Sequence, residues 1–214
     1  MSTESRATHG VYVEGNHDLY VLAEVLNWSF PEPKPSWLPR KALIAAESDE
    51  QAIASFVLAA KGRGKWGVVL DADTSAQLRW EALARALRRK LGATVEIPAS
   101  PPRDGWVWEQ GELRLGAWIM PDNVSAGALE AFLAPLVART APFAFAKSAA
   151  AEALKSHGAT YAAAAAGKAE LHTYLAWCEE PGRPYGRAVK SNDFDLSKTD
   201  LAKRIAAWIE RLLG

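Results

Sequence analysis

The feature that most limits the fold of this chain is the run Trp66-Gly67-Val68-Val69-Leu70, apolar throughout and stopped by Asp71-Ala72-Asp73. A strand with one wet face would alternate polar and apolar residues. This run does not, so it suits a strand buried on both faces, in the middle of a parallel sheet. Its surroundings agree. Lys61-Gly62-Arg63-Gly64-Lys65 before it is a glycine-loosened basic loop. After it, Thr74 or Ser75 caps a helix predicted from Ala76 to Leu91 and ended by Gly92.

The same alternation precedes it. Val11-Tyr12-Val13 is short, β-branched and aromatic, and Glu14-Gly15 stops it, which reads as a buried strand. Leu19, Val21, Leu22, Val25 and Leu26 then recur at helical spacing, with Asn16 or Asp18 near the cap. Prolines in Phe30-Pro31-Glu32-Pro33-Lys34-Pro35 close that helix into a loop. A second strand is predicted at Ala42 to Ala45. A second helix is predicted from Glu50 to Ala60, capped by Ser48 or Asp49. Strands alternating with helices in this way argue for an α/β fold with mainly parallel strands and right-handed crossovers.

Past Leu91, Val95 to Ile97 is a further strand candidate. Trp106-Val107-Trp108 and Leu113 to Met120 read as two strands joined near Gly111, a hairpin. Pro121-Asp122-Asn123 breaks the second, and a helix is predicted from Ser125 through Val137. From Ala144 the chain is Ala-rich and reads as helical, because alanine is the best helix former. Leu201 to Leu213 closes it at helical spacing. The expected organisation is an α/β core over residues 9–140, with a helical C-terminal extension over 141–214 packed on the same domain.

Composition removes several classes. With 214 residues, 49% of them apolar, the chain can bury roughly 70% of its unfolded surface without a metal or disulfide to staple it. Cys178 is the single cysteine, which excludes a disulfide framework and a Cys-rich zinc module. Lys+Arg 25 against Asp+Glu 25 excludes chain-wide attraction to nucleic acid and leaves local basic patches open. No stretch approaches the ~18 apolar residues of a membrane span. The polar start MSTESRATHG lacks the apolar core of a secretory signal. The expected setting is cytoplasmic, away from membranes.

In an open parallel sheet, side chains just past the carboxyl ends of the strands converge on one crevice. Glu14 stands there after the first predicted strand, Asp71 and Asp73 after the third. Carboxylates converging without a basic partner repel one another, and a hard divalent cation such as Mg²⁺ relieves the repulsion. Along extended chain an Asp-x-Asp pair points to one side and can share an ion. The alternative is that Asp73 caps the following helix and Asp71 turns the loop.

Val11-Tyr12-Val13-Glu14-Gly15 followed by Asp18, and Val68-Val69-Leu70-Asp71-Ala72-Asp73, resemble the two signatures of the TOPRIM fold, a Rossmann-like sheet shared by topoisomerases, primases and overcoming-lysogenization-defect (OLD) nucleases. Over residues 9–213 the chain also resembles the DUF3226 type of TOPRIM-like proteins, through Trp118-Ile119-Met120-Pro121-Asp122-Asn123, Leu129-Glu130, and Leu171-His172-Thr173-Tyr174-Leu175-Ala176-Trp177 on to Glu180-Pro181-Gly182-Arg183-Pro184. The resemblance implies Mg²⁺- or Mn²⁺-dependent chemistry on phosphodiesters, a nuclease acting on DNA or RNA. Glu14 would be the general acid or base or join the metal shell, and Asp71 and Asp73 would be metal ligands. By similarity to OLD nucleases, Glu130 would help hold a second metal and Lys168 would stabilise the transition state. Many relatives carry Lys-Asp-Asp after the Glu-Gly pair, whereas this chain has Asn16-His17-Asp18. The missing lysine favours an alternative: a non-catalytic metal- or nucleotide-binding module, or a subunit of a larger complex.

Other signals are bland. Lys61, Arg63 and Lys65 lack the Gly-x-x-x-x-Gly-Lys-Ser/Thr form of a phosphate loop. Arg85, Arg88, Arg89 and Lys90 read as a solvated helix face, or as a backbone-contacting one. Trp28, Trp37, Trp106 and Trp108 lie near loops or edges, where base stacking competes with ordinary packing. His17 and His172 read as surface or packed histidines.

Overall fold

The apolar run around Val68 is the central strand of a five-stranded sheet in the computed structural model, which describes residues 9–39 and 41–214. Residues 1–8 of the polar start lie outside the described residues. The strands are β1 (His9–Val13), β2 (Leu43–Ala45), β3 (Gly64–Asp71), β4 (Trp106–Gln110) and β5 (Leu113–Met120). Helices α1 (Asn16–Ser29), α2 (Asp49–Ala59) and α3 (Ala76–Leu91) alternate with the first strands. After β5 come α4 (Leu129–Leu133), α5 (Thr140–Ser156), α6 (Ala166–Ala176), α7 (Tyr185–Lys190) and α8 (Leu201–Leu213).

The sheet order is β2-β1-β3-β5-β4. β1, β2, β3 and β5 run parallel, and β4 pairs antiparallel with β5 through the hairpin at Gly111, whose φ of 59° suits a residue without a Cβ. Alternate residues of β3 point to opposite cores. Val69 joins Val11, Val13, Trp118 and Met120 under α1, α4, α6, α7 and α8, while Val68 and Leu70 join Leu115, Ala117 and Ile119 under α2 and α3. The chain is therefore α/β, a mostly parallel sheet flanked by helices on both faces. α8 crosses β3, β4 and β5, so the helices after residue 141 share the core of the sheet. Among the described residues no helix is long and apolar enough to cross a membrane.

The helix starts follow local chemistry. Ser75 Oγ accepts the Leu78 amide at 3.3 Å and Ser48 Oγ accepts the Gln51 amide at 3.2 Å, each satisfying an otherwise orphaned N–H. Replacing Ser75 by alanine should cost about 1 kcal/mol in urea unfolding, with Ser75→Asn restoring most of it. α1 differs from expectation: its cap is Gly15, with no side-chain cap bond, and Asp18 sits in the first turn.

Two predicted elements are corrected. Val95 to Ile97 is not a strand; the segment carries no sheet pairing and runs beside α3, where the Ile97 and Pro98 carbonyls accept from Arg88 and Trp80. The helix expected from Ser125 begins only at Leu129 and gives way to a 3₁₀ turn at Ala134–Leu136. Asp122 is the reason, since its carboxylate accepts the amides of Val124 and Ser125 and holds the chain in a turn. Asn123, buried at φ 68°, accepts the Ile119 amide on Oδ1 and donates to the Arg103 carbonyl. Cys178 is buried just past the end of α6, and its thiol donates to the Tyr174 carbonyl at 3.5 Å.

Candidate functional site

Glu14 is the first residue past β1 and Asp71 the last of β3, on adjacent parallel strands. Strand pairing brings them together: Glu14 Oε1 accepts the Asp71 amide at 2.7 Å. Both are largely shielded from water. Burial pushes the Glu14 carboxyl up to about 7, against the Asp71 amide and the Arg79 charge, while Asp18 and Asp49 add to the rise. Burial pushes Asp71 up to about 8, reinforced by the charges of Asp18, Glu14, Glu130 and Asp73. Asp18 is raised too, by burial and by Glu130, against the amides of Asp18 and Gly15 at the start of α1. The carboxyl end of the sheet thus gathers Glu14, Asp18, Asp71 and Glu130 in mutual repulsion.

Asp73 turns away from this group. The chain is no longer extended there; φ is 51°, and the Asp73 amide and carbonyl pair with Gly127 at 2.9 and 2.8 Å. The side-by-side geometry expected of an Asp-x-Asp pair therefore does not arise, and the Asp73 carboxylate ion-pairs with Arg79. Arg79 also ion-pairs with Asp49, and its Nε donates to the Asp71 carbonyl at 2.8 Å. Burial pushes Asp49 up, but the hydrogen bonds and charge of Arg79 hold it below the usual carboxylate range. The guanidinium thus serves Asp49, Asp73 and the Asp71 main chain.

Glu130 comes from the short helix α4, which the clasp between Asp73 and Gly127 holds beside the end of β3. Its carboxylate is 17% exposed, with Lys168 Nζ at 4.0 Å and Tyr185 Oη donating to Oε1 at 3.4 Å. Lys168 lies on α6, one turn before His172. The His172 ring stacks on Tyr185 at 5.0 Å, and the His17 ring meets Tyr185 edge-on at 5.4 Å. Burial, Lys168 and His17 hold His172 below the usual histidine range. Burial first, then Glu130, raises the Tyr185 phenol, so Tyr185 stays a donor.

The structure therefore joins Glu14 to Asp71, brings Glu130, with Lys168 beside it, close enough for its charge to reach Asp71, and pairs the exposed Asp73 with Arg79. Arg79 and Tyr185 were not found from sequence. Arg79 is one of many arginines on a helix; the clue was an acidic strand end at 71–73 with no cation assigned to it. Tyr185 carried no local motif. Among the described residues no three His, Cys, Asp or Glu side chains form a preassembled metal cluster. The basic residues Arg85, Arg88, Arg89 and Lys90 are exposed on α3, and Trp106 is buried against Trp80.

The model of a family described as protein of unknown function (DUF3226) matches residues 8–214. No curated protein and no solved structure matches the chain.

Proposed function

The chain belongs to the DUF3226 family, and from the site it carries we propose a divalent-metal-dependent phosphodiester chemistry, with a nucleic acid backbone as substrate and hydrolysis as the reaction. The observation that carries this reading is the pair Glu14 and Asp71, adjacent strand-end carboxylates joined through the Asp71 amide and pushed up to about 7 and about 8 chiefly by burial, with the Asp18 charge adding to both. Two such groups are most comfortable with a cation between them. Arg79 is already committed to Asp49, Asp73 and the Asp71 carbonyl. The donor set is all oxygen, which suits Mg²⁺ or Mn²⁺. Mg²⁺ is held by one or two carboxylates plus waters, so it needs no ready-made trio. Glu14 and Asp71 would hold the ion, with Glu130 and Asp73 at its margins.

When bound, such an ion polarises a phosphoryl oxygen and lowers the pKa of a bound water. The chain's own residues supply the rest. Where Glu14 does not itself sit on the ion, its carboxylate takes or gives a proton beside Asp71. Lys168 offers a positive charge toward phosphoryl oxygens beside Glu130. The resemblance of Val11–Asp18 and Val68–Asp73 to the TOPRIM signatures supports the same chemistry and a TOPRIM-like reading of the sheet. A nucleic-acid substrate in turn suits a cytoplasmic setting. One observation favours a second reading, a metal- or nucleotide-binding module without turnover: the Asp73 carboxylate is paired with Arg79.

The test is titration with Mg²⁺ and Mn²⁺ by calorimetry, followed by incubation with single- and double-stranded DNA and RNA. The expected result is saturable binding and metal-dependent cleavage that falls about 10²–10⁴-fold in Glu14→Gln. Metal binding without cleavage of any polymer would select the module, and no metal binding would discard the catalytic reading and the metal-binding form of the module.

A further inference from the structure

Two exposed aromatic rings line one face of α1. Tyr20 is 58% exposed and Trp28 42%, and helical spacing sets them about 12 Å apart along the axis. Between α1 and α7 runs a groove formed by two cavities, 680 and 270 Å³, which share Glu24 and Lys190. Tyr20 and Arg187 line the larger, Trp28 and Asp195 the smaller. Lys190 has no ion-pair partner among the described residues, whereas Arg187 reaches Glu180 at 3.7 Å. Of the acidic lining, Asp195 is occupied by the amide and hydroxyl of Ser197. Glu24 accepts from Asn27 at 3.3 Å.

The groove and the carboxylate cluster are built on the same two helices, which touch between them. Gly186 packs so closely on Tyr20 that a Cβ there would lie 2.6 Å from the Tyr20 Cβ. Its neighbour Tyr185 donates to Glu130, and His17, one turn before Tyr20, meets the same ring. The ligand such a surface fits has flat rings for Tyr20 and Trp28 and an anion between them for Lys190, with Arg187 near. That is the chemistry of successive nucleotides in a single strand, whose bases are free to stack while a duplex keeps its own stacked.

We propose that the α1–α7 groove is a single-stranded nucleic acid track, with bases on Tyr20 and Trp28 and phosphates on Lys190 and Arg187. This names the substrate form for the phosphodiester reading and rests on it for its biological sense, but binding can be measured without turnover. The experiment is fluorescence anisotropy of the full chain in EDTA at low salt. Labelled oligo(dT), oligo(U) and a duplex, each of about ten nucleotides, are the probes, with polyglutamate as competitor. Tyr20 and Trp28 are partly exposed, so Tyr20→Ala and Trp28→Ala should leave the protein folded, with the melting temperature lowered by roughly 4 °C at most. The expected result is single-strand binding over duplex, weakened roughly 5- to 150-fold by each aromatic variant, with a shallower salt dependence in Lys190→Gln. DNA or RNA preference emerges from the two homopolymers. Equal affinity for duplex, indifference to both aromatic variants, displacement by polyglutamate at matched charge, or no binding would each overturn the track. Single-strand binding by the unmutated protein that, given Mg²⁺ or Mn²⁺, cleaves no polymer keeps the track and discards the catalytic reading; cleavage with no aromatic effect does the reverse.

Discussion

Replacing Trp208 by alanine is expected to destabilise the protein by about 3–5 kcal/mol, the range for deleting a fully buried large aromatic. Trp208 is the point at which α8 keys into the sheet. Its ring is fully buried, packs on Trp118 at 6.0 Å, and donates Nε1–H to the Trp106 carbonyl at 2.9 Å. The backbone makes room for it. A Cβ on Gly105, at φ 80°, would lie 2.4 Å from Trp208 Cδ1, and one on Gly67 would come 3.4 Å from the far edge of the ring. The hollow is lined by Gly67, Gly105, the Trp118 ring and the Trp106 carbonyl, mostly main chain held by the sheet, so it collapses poorly around an alanine. The loss takes a large share of the 5–15 kcal/mol that holds a typical domain together. Melting should fall by roughly 6–20 °C. A cost below about 1 kcal/mol in urea unfolding would show that α8 is not anchored there.

The second large effect is expected at Asp71, and it has two signs. In the metal-free protein Asp71→Asn should stabilise the fold at pH 8 by about 2–3 kcal/mol, a shift of this size discounted by half for residual solvent and for sharing with Glu14. In the unfolded chain this carboxyl titrates near ~3.9; in the folded chain burial and its acidic neighbours push it up to about 8. The folded state therefore holds the proton more tightly. Its contribution is complete below the unfolded value and is lost as pH rises through about 8. Asparagine has nothing to lose, so thermal unfolding between pH 4 and 9 should be flatter in the variant by roughly this amount. Added Mg²⁺ should raise the melting temperature of the unmutated protein at pH 8 and leave the variant unmoved. Cleavage should disappear with it. A variant no more stable than its parent at pH 8 would mean that Asp71 is not under electrostatic stress.

The sequence carried the frame of this site further than its finer geometry. β1 with α1, and β3 with α3, were legible because an apolar run, a polar stop and a helix-period pattern follow one another without interruption. Leu201–Leu213 was legible for the same reason. Glu14 and Asp71 then came together by strand order alone. What failed were short stretches whose conformation is set by side-chain-to-backbone bonds. Val95 to Ile97 has β-forming residues, but no strand stands beside it. Ser125 resembles a cap, but Asp122 claims its amide and hydroxyl first. Asp73 could not be placed because its turn depends on Gly127, distant in sequence. Arg79 is a helix-face arginine until the fold puts Asp49 and Asp73 on either side of it.

That pairing of Asp73 with Gly127 stitches the loop after β3 to the loop after β5, main chain to main chain. The separation of Asp71 from Glu130 is therefore inherited from the peptide scaffold and not negotiated by their side chains. Mutation can rewrite the chemistry on either loop without re-cutting the frame that holds them at a fixed span.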